Sequence, residues 1–209
     1  MKGTKDKILT AALKLFNRDG IVNVRLQHIA DEAFISIGNL AYHFANKEAI
    51  VQELYETLTG EQKELLKEYR VVPLFEYLHR LIQRTYQFQN KYLFFYIDTL
   101  EITRAYPDIG QAHQQHILFQ MEQLQLMLDF NVSRGVLQPK STDRDYGQIA
   151  LQVWMTLDFW LFQSLIRIGR LPEEADYQHA FWALLKPHLT DMGRQEFRQI
   201  STLPFDLLF

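Results

Sequence analysis

Residues 34–44 read Phe-Ile-Ser-Ile-Gly-Asn-Leu-Ala-Tyr-His-Phe. A helix beginning near Ile37 puts Leu40 and Phe44 four apart on an inward face and leaves Ser36, Ile37, Asn39, Tyr42 and His43 outward or at its edges. Working outward, the segment from about Leu26 to Ala33 turns Ile29, Ala30 and Ala33 inward. The one from about Thr4 to Asp19 repeats Ile8, Ala11, Ala12, Leu15 and Phe16 at three and four. Thr4 is placed to cap this first helix and Gly20 to end it. Three helices of about 16, 8 and 8 residues, with a tight turn between the last two, have helix-turn-helix geometry.

The second short helix of such a pair can enter a DNA major groove. Asn39 can donate to and accept from one adenine, and Ile37 and Ala41 can touch thymine methyls. Tyr42, His43 and Lys47 are within reach of phosphates, as are the N–H groups that open the next helix. Three amphipathic helices that merely pack would show the same spacing, so periodicity alone leaves both readings open.

The remainder reads as helix throughout, with no convincing strand. Asn46 caps a long helix to about residue 69, and Pro73 fits the start of another. A very aromatic segment, residues 91–106, stops at Pro107. Helices then run from about Asp108 to Arg134, Thr142 to Ile168 and Pro172 to Met192, followed by an apolar, Pro-broken tail. The expected boundary puts residues 1–48 in a helix-turn-helix domain and 49–209 in a larger helical domain.

Composition narrows the class. With 47% apolar and 22% charged residues, the 209-residue chain is that of a folded globular protein. It has no Cys, which excludes disulfides, thiolate metal sites and a Cys nucleophile. The N-terminus MKGTKDKILTAALKLF has no long apolar run and does not read as a signal peptide. The stretch Ile149–Ile166 is interrupted by Gln152, Asp158 and Gln163, so it reads as a buried helix rather than a membrane span. A cytoplasmic protein without membrane contact is expected. Net charge is −3. Residues 1–50 carry seven Lys/Arg against five Asp/Glu, while the rest carries 15 against 20. A mildly positive end on an acidic body suits DNA binding at that end. No glycine-rich phosphate loop, Gly-x-Ser-x-Gly elbow or His-Glu-x-x-His motif is present, so no enzyme is expected.

The segments KDKILTAALKLFNRDG and LQHIADEAFISIGNLAYHFANKEAIV together resemble the N-terminal domain of the TetR family of bacterial transcriptional regulators. The matching landmarks are Ile8, Ala11, Leu15, Phe16, Gly20, Ile29, Ala30, Ala33, Ser36, Gly38, Leu40, His43, Phe44, Lys47 and Glu48. The resemblance implies an all-α fold: a three-helix DNA-binding domain followed by a larger ligand-binding and dimerisation domain. It implies a homodimer on a palindromic double-stranded DNA operator, most simply a repressor released by a small-molecule effector. By the same carry-over, Ser36, Ile37, Asn39 and Tyr42 face bases or the groove, and Arg25, Gln27, His43 and Lys47 hold the backbone.

Three positions depart from the family pattern. Phe34 stands where the turn usually has Gly, so either the turn avoids the left-handed region or burial of the ring offsets a cost of about 1–2 kcal/mol. Ala41 stands where a phosphate-contacting Tyr is usual. Val24 and Arg25 stand where Thr or Ser would cap the second helix, leaving Asn23 as a substitute cap.

In the body, Tyr77, Phe94, Phe95 and Phe119, with Asp98, Glu101, Trp154 and Asp158, are the candidate lining of an effector cavity, and core aromatics with rim charges would read the same way. The helix ending at Ile168 is apolar on nearly all sides. Val153, Leu157, Trp160 and Leu161, with Tyr177, Phe181 and Leu184 of the next helix, are the candidate dimer seam. Two other functions compete. One keeps the fold but acts through a protein partner, as the uncharged recognition helix suggests. The other is a di-metal bundle built on Glu76-x-x-His79 and Asp176-x-x-His179, with Glu101 or Glu122, and with His113-x-x-His116 as a further pair. The expectation is no metal and no cofactor.

Overall fold

The computed structural model describes residues 3–68 and 74–202. In chain order its helices are α1 (Thr4–Asp19), α2 (Leu26–Glu32), α3 (Ile37–His43), α4 (Lys47–Glu68), α5 (Phe75–Lys91), α6 (Leu93–Ala105), α7 (Pro107–Ser133), α8 (Tyr146–Ile168), α9 (Glu174–Leu185) and α10 (Asp191–Thr202). The fold is all-α. Isolated bridges join Leu137 to Leu189 and Ser141 to Arg144, and no strand is present among the described residues.

Several boundaries differ from the sequence expectation. The first helix is preceded by Gly3, whose N–H donates to Asp6 Oδ2 at 3.1 Å, so Thr4 lies inside the helix. α8 starts at Tyr146 rather than Thr142, because the Asp145 carboxylate accepts from Gly147 N–H at 2.8 Å and caps it there. The single helix expected up to Met192 breaks at Leu185. Pro187 follows within a 3-10 turn, and α10 begins at Asp191. Pro73 and the last seven residues lie outside the described residues.

The chain divides into two compact units, residues 1–63 with 89–116 and residues 64–88 with 117–209. The expected boundary at 48/49 falls instead in the first turn of the unbroken helix α4. In the first unit α6 returns to pack on α1. Phe16 and Phe94 pack with their rings tilted, centroids 5.5 Å apart, and Asn17 donates to Lys91 O at 2.9 Å while accepting Phe94 N–H at 2.9 Å.

The second unit is centred on α8 and α9. Ile149, Val153, Leu157 and Leu161 are buried with Tyr177, Phe181 and Leu185. Trp182 packs among Phe75, Phe181 and Phe197. α10 is locked in place by Glu196, which accepts Phe75 N–H at 3.0 Å and pairs with Arg134. Gly193 permits the close approach: a Cβ there would stand 2.1 Å from Val136 O. By length and composition α8 could cross a membrane. In the structure it has a buried face and an exposed apolar one.

Candidate DNA-binding surface

Helices α1 to α3 form the head. Ile8, Leu15 and Phe16 of α1, Ile29 and Ala30 of α2, and Leu40 of α3 make its core. Ser36 caps α3 by accepting Asn39 N–H at 3.1 Å. Asn46 does the same for α4, accepting Ala49 N–H at 2.8 Å. With Leu40 buried, α3 turns Ser36, Ile37, Asn39, Ala41 and Tyr42 outward, Tyr42 being 85% exposed. His43 is half-buried, its ring edge-on to Tyr42 at 5.3 Å. Arg25 and Gln27 are also exposed, at the start of α2, with Gln27 Nε2 donating to Asp31 at 2.8 Å. The predicted base-facing residues are therefore all accessible.

Lys47 does not join them in the expected way. Its ammonium points into the head and donates to Ile21 O at 2.5 Å and Val24 O at 3.0 Å, and burial lowers its pKa from the ordinary lysine value. Asn23 is not a substitute cap for α2: its Nδ2 donates to Asp19 O at 2.8 Å, closing the end of α1. At the start of α2 it is His28 Nδ1 that accepts, from Arg25 N–H at 3.3 Å.

Phe34 meets neither expectation. It has φ 56°, squarely left-handed, and is 94% exposed. The cause is the way α2 ends. Phe34 N–H donates to Asp31 O at 3.1 Å and Ile35 N–H to Ala30 O at 3.0 Å, a Schellman pattern that demands a left-handed residue at Phe34. The ring borders a shallow depression of about 510 Å³ with Leu15, His28, Asp31 and Glu32 on its wall.

The eight candidate effector residues are divided between the units. Phe94 and Phe95 are core residues of the first, Phe95 packing on Tyr55 at 5.2 Å and His113 at 5.0 Å. Asp98 is half-buried and its carboxylate accepts Ile21 N–H at 3.2 Å, while Glu101 is exposed. In the second unit Tyr77 lies under the Arg80 guanidinium at 4.7 Å and Phe119 is half-buried. Trp154 Nε1 donates to the buried Gln120 at 3.2 Å. Asp158, one turn further along α8, is pushed up to about 7 by burial. A separate groove of about 420 Å³, lined by Leu74, Glu76, Met192, Glu196 and Ile200, includes none of the candidate effector residues.

The dimer candidates need a similar correction. Val153, Leu157, Leu161, Tyr177 and Phe181 are enclosed in the second unit's own core, and Trp160 and Leu184 are half-buried. The exposed face of α8 carries Met155, Phe159, Phe162 and Ile166, from 38% to 69% exposed. Two of the candidate metal ligands have other partners. His79 Nδ1 accepts from Trp182 Nε1 at 3.2 Å, and His116 Nε2 meets Gln62 Oε1 at 2.6 Å. Among the described residues no three His, Asp or Glu gather as a metal site.

Sequence reasoning missed Asn17 and the inward roles of Lys47 and Asp98. Each contact spans between 23 and 77 positions, and no local periodicity reports it.

Comparison with known proteins agrees with this geometry. Residues 8–54 match the family described as bacterial regulatory proteins, tetR family, and residues 47–197 match TetR, bacterial transcriptional repressor. "Probable HTH-type transcriptional regulator YttP" of Bacillus subtilis (strain 168) is 27% identical, over 59% of this chain and 76% of its own. Among solved structures, a TetR-family regulator from Marinobacter aquaeolei VT8 superposes with a TM-score of 0.81 at 23% identity, covering 96% of this chain and 98% of its own. A gamma-butyrolactone receptor (ArpA-like protein) gives 0.72 at 18% identity, covering 95% and 94%. The chain belongs to the TetR family of bacterial transcriptional regulators.

Proposed function

We propose that this protein is a cytoplasmic, homodimeric repressor that holds a palindromic operator through α3 and is released by a small-molecule effector. The observation that carries the reading is the outward face of α3, where the capped N-terminus presents Ser36, Ile37 and Asn39 beside the exposed Tyr42. A groove reader needs the first residues of such a helix free and its axis fixed, and both conditions are met. The dimer is supported by Met155, Phe159, Phe162 and Ile166, spaced four, three and four along α8, a stripe suited to helix-on-helix packing. The effector half rests on Trp154, Gln120 and Asp158, polar groups set in an apolar body. A gamma-butyrolactone receptor among the similar structures makes a small-molecule trigger the natural choice.

The test is a mobility shift on DNA from immediately upstream of the protein's own gene, across a salt series and against excess unrelated DNA. A competitor-resistant complex that weakens steeply with salt is expected. Asn39→Ala should relax base preference and leave the salt slope unchanged. An absent complex at low salt favours the second reading, a regulator acting through a protein partner, for which the fully exposed Phe34 ring is the supporting observation.

A further inference from the structure

We propose that Lys47 and Asp98 are positioning residues for DNA binding, which grip the backbone of the α1–α2 connection and set where it presents Arg25 and the start of α2. The inference rests on reading the head as DNA-binding. The connection, residues 20–25, contains no helix of its own. Ile21 and Val24 are nevertheless buried, at 3% and 1% exposure, so their backbone groups need partners inside the protein. Asp98 of α6 accepts from Ile21 N–H, and Lys47 of α4 donates to Ile21 O and Val24 O. One short stretch of backbone, residues 21–24, is thus held through a donor by an anion and through two acceptors by a cation. Charge-assisted bonds of this kind are the stronger ones.

The geometry of α6 fits the task. Asp98 is the one residue inside α6 with non-helical dihedrals, φ −102° and ψ 17°. The kink falls at the residue that makes the contact, and three residues after Phe95, whose ring is fixed in the core. Next to it, Asn17 joins the end of α1 to Lys91 and Phe94. Arg25, the last residue of the connection, follows directly on Val24. Its own side chain makes no cap bond and remains exposed.

Charge and position predict opposite signs for Asp98. Removing an acid from a DNA-binding head strengthens phosphate attraction by charge alone. Removing a strut weakens binding. The experiment uses the full-length protein, with hydrogen exchange at the Ile21–Arg25 amides and mobility shifts on the upstream DNA across a salt series. For Asp98→Ala, Ile21 exchange should be faster and DNA affinity lower by about tenfold each. Asp98→Asn keeps an acceptor and should stay within about twofold of wild type. Lys47→Met should weaken binding with its salt slope intact, whereas a lost phosphate contact lowers the slope by about 0.9.

Wild-type or tighter DNA binding by Asp98→Ala overturns the proposal, whatever its exchange. So does unchanged Ile21 exchange, as do equal losses in Asp98→Asn and Asp98→Ala. A fall in the Lys47→Met slope with unaltered loop exchange returns Lys47 to the phosphates and overturns its half. If wild-type protein binds no DNA, the functional reading fails separately, and exchange in Asp98→Ala still decides whether the grip exists.

Discussion

The two connections in the head are built on opposite plans. Between α1 and α2, side chains from α4 and α6 hold a buried backbone. Between α2 and α3, the turn is held by its own backbone bonds and exposes an aromatic ring in a left-handed conformation. The end of α7 supplies a standard for the second plan. Gly135 N–H donates to Val132 O and Val136 N–H to Asn131 O, the same pattern as at Phe34, with φ 77°. There the left-handed residue is a glycine, which adopts the conformation without strain. At Phe34 the strain is not offset by burial. A buried connection needs partners and pays for change by orphaning them, whereas an exposed turn can carry strain with little consequence for the core.

The contrast can be broken most forcefully at Asn17. Asn17→Leu leaves Lys91 O and Phe94 N–H without their partner and should destabilise the protein by about 2 kcal/mol, read as a lower urea midpoint. Acid is the next lever. Burial holds His113 and His116 at about 4, below the ordinary 6.5, so between these values the folded protein binds fewer protons than the unfolded chain. Their contribution to stability is complete above 6.5 and is lost as pH falls through 4. Because His113 packs on Phe95 of α6, the protection of the Ile21 amide, taken relative to its intrinsic exchange rate at each pH, should fall on acidification before that of the α2–α3 turn. The two glycine-type positions give the smallest effects, with opposite signs. Gly135→Ala should cost about 1 kcal/mol. Phe34→Gly should stabilise by about 1 kcal/mol after the greater entropy of the unfolded glycine chain is allowed for. A loss of stability in Phe34→Gly would show that the ring is an anchor after all.

The head was legible in the sequence because its information is local. Ser36 precedes its helix by one residue, and Leu40 and Phe44 report their face by spacing. Lys47 and Asp98 were legible as functional candidates but not in their roles, which depend on a loop 26 and 77 residues away. The α8 stripe failed for a different reason. A helix apolar on nearly every side carries too little periodicity to tell its own core from a free face. Only packing against α9 reveals that Val153 and Leu157 are inside while Met155 and Phe159 are outside.

Neither compact unit is contiguous in the chain, and this orders events during synthesis. The first unit takes residues 89–116 and the second takes residues up to the last described helix. A ribosome that has released α1 to α3 has released a head without the α6 segment that covers Phe16 and accepts the Ile21 amide. The peptide emerging in between, 64–88, belongs to the other unit. That unit in turn waits for Glu196 to close over Phe75 and Arg134. The nascent chain therefore carries an unfinished DNA reader until α6 has emerged, and the second unit waits for α10.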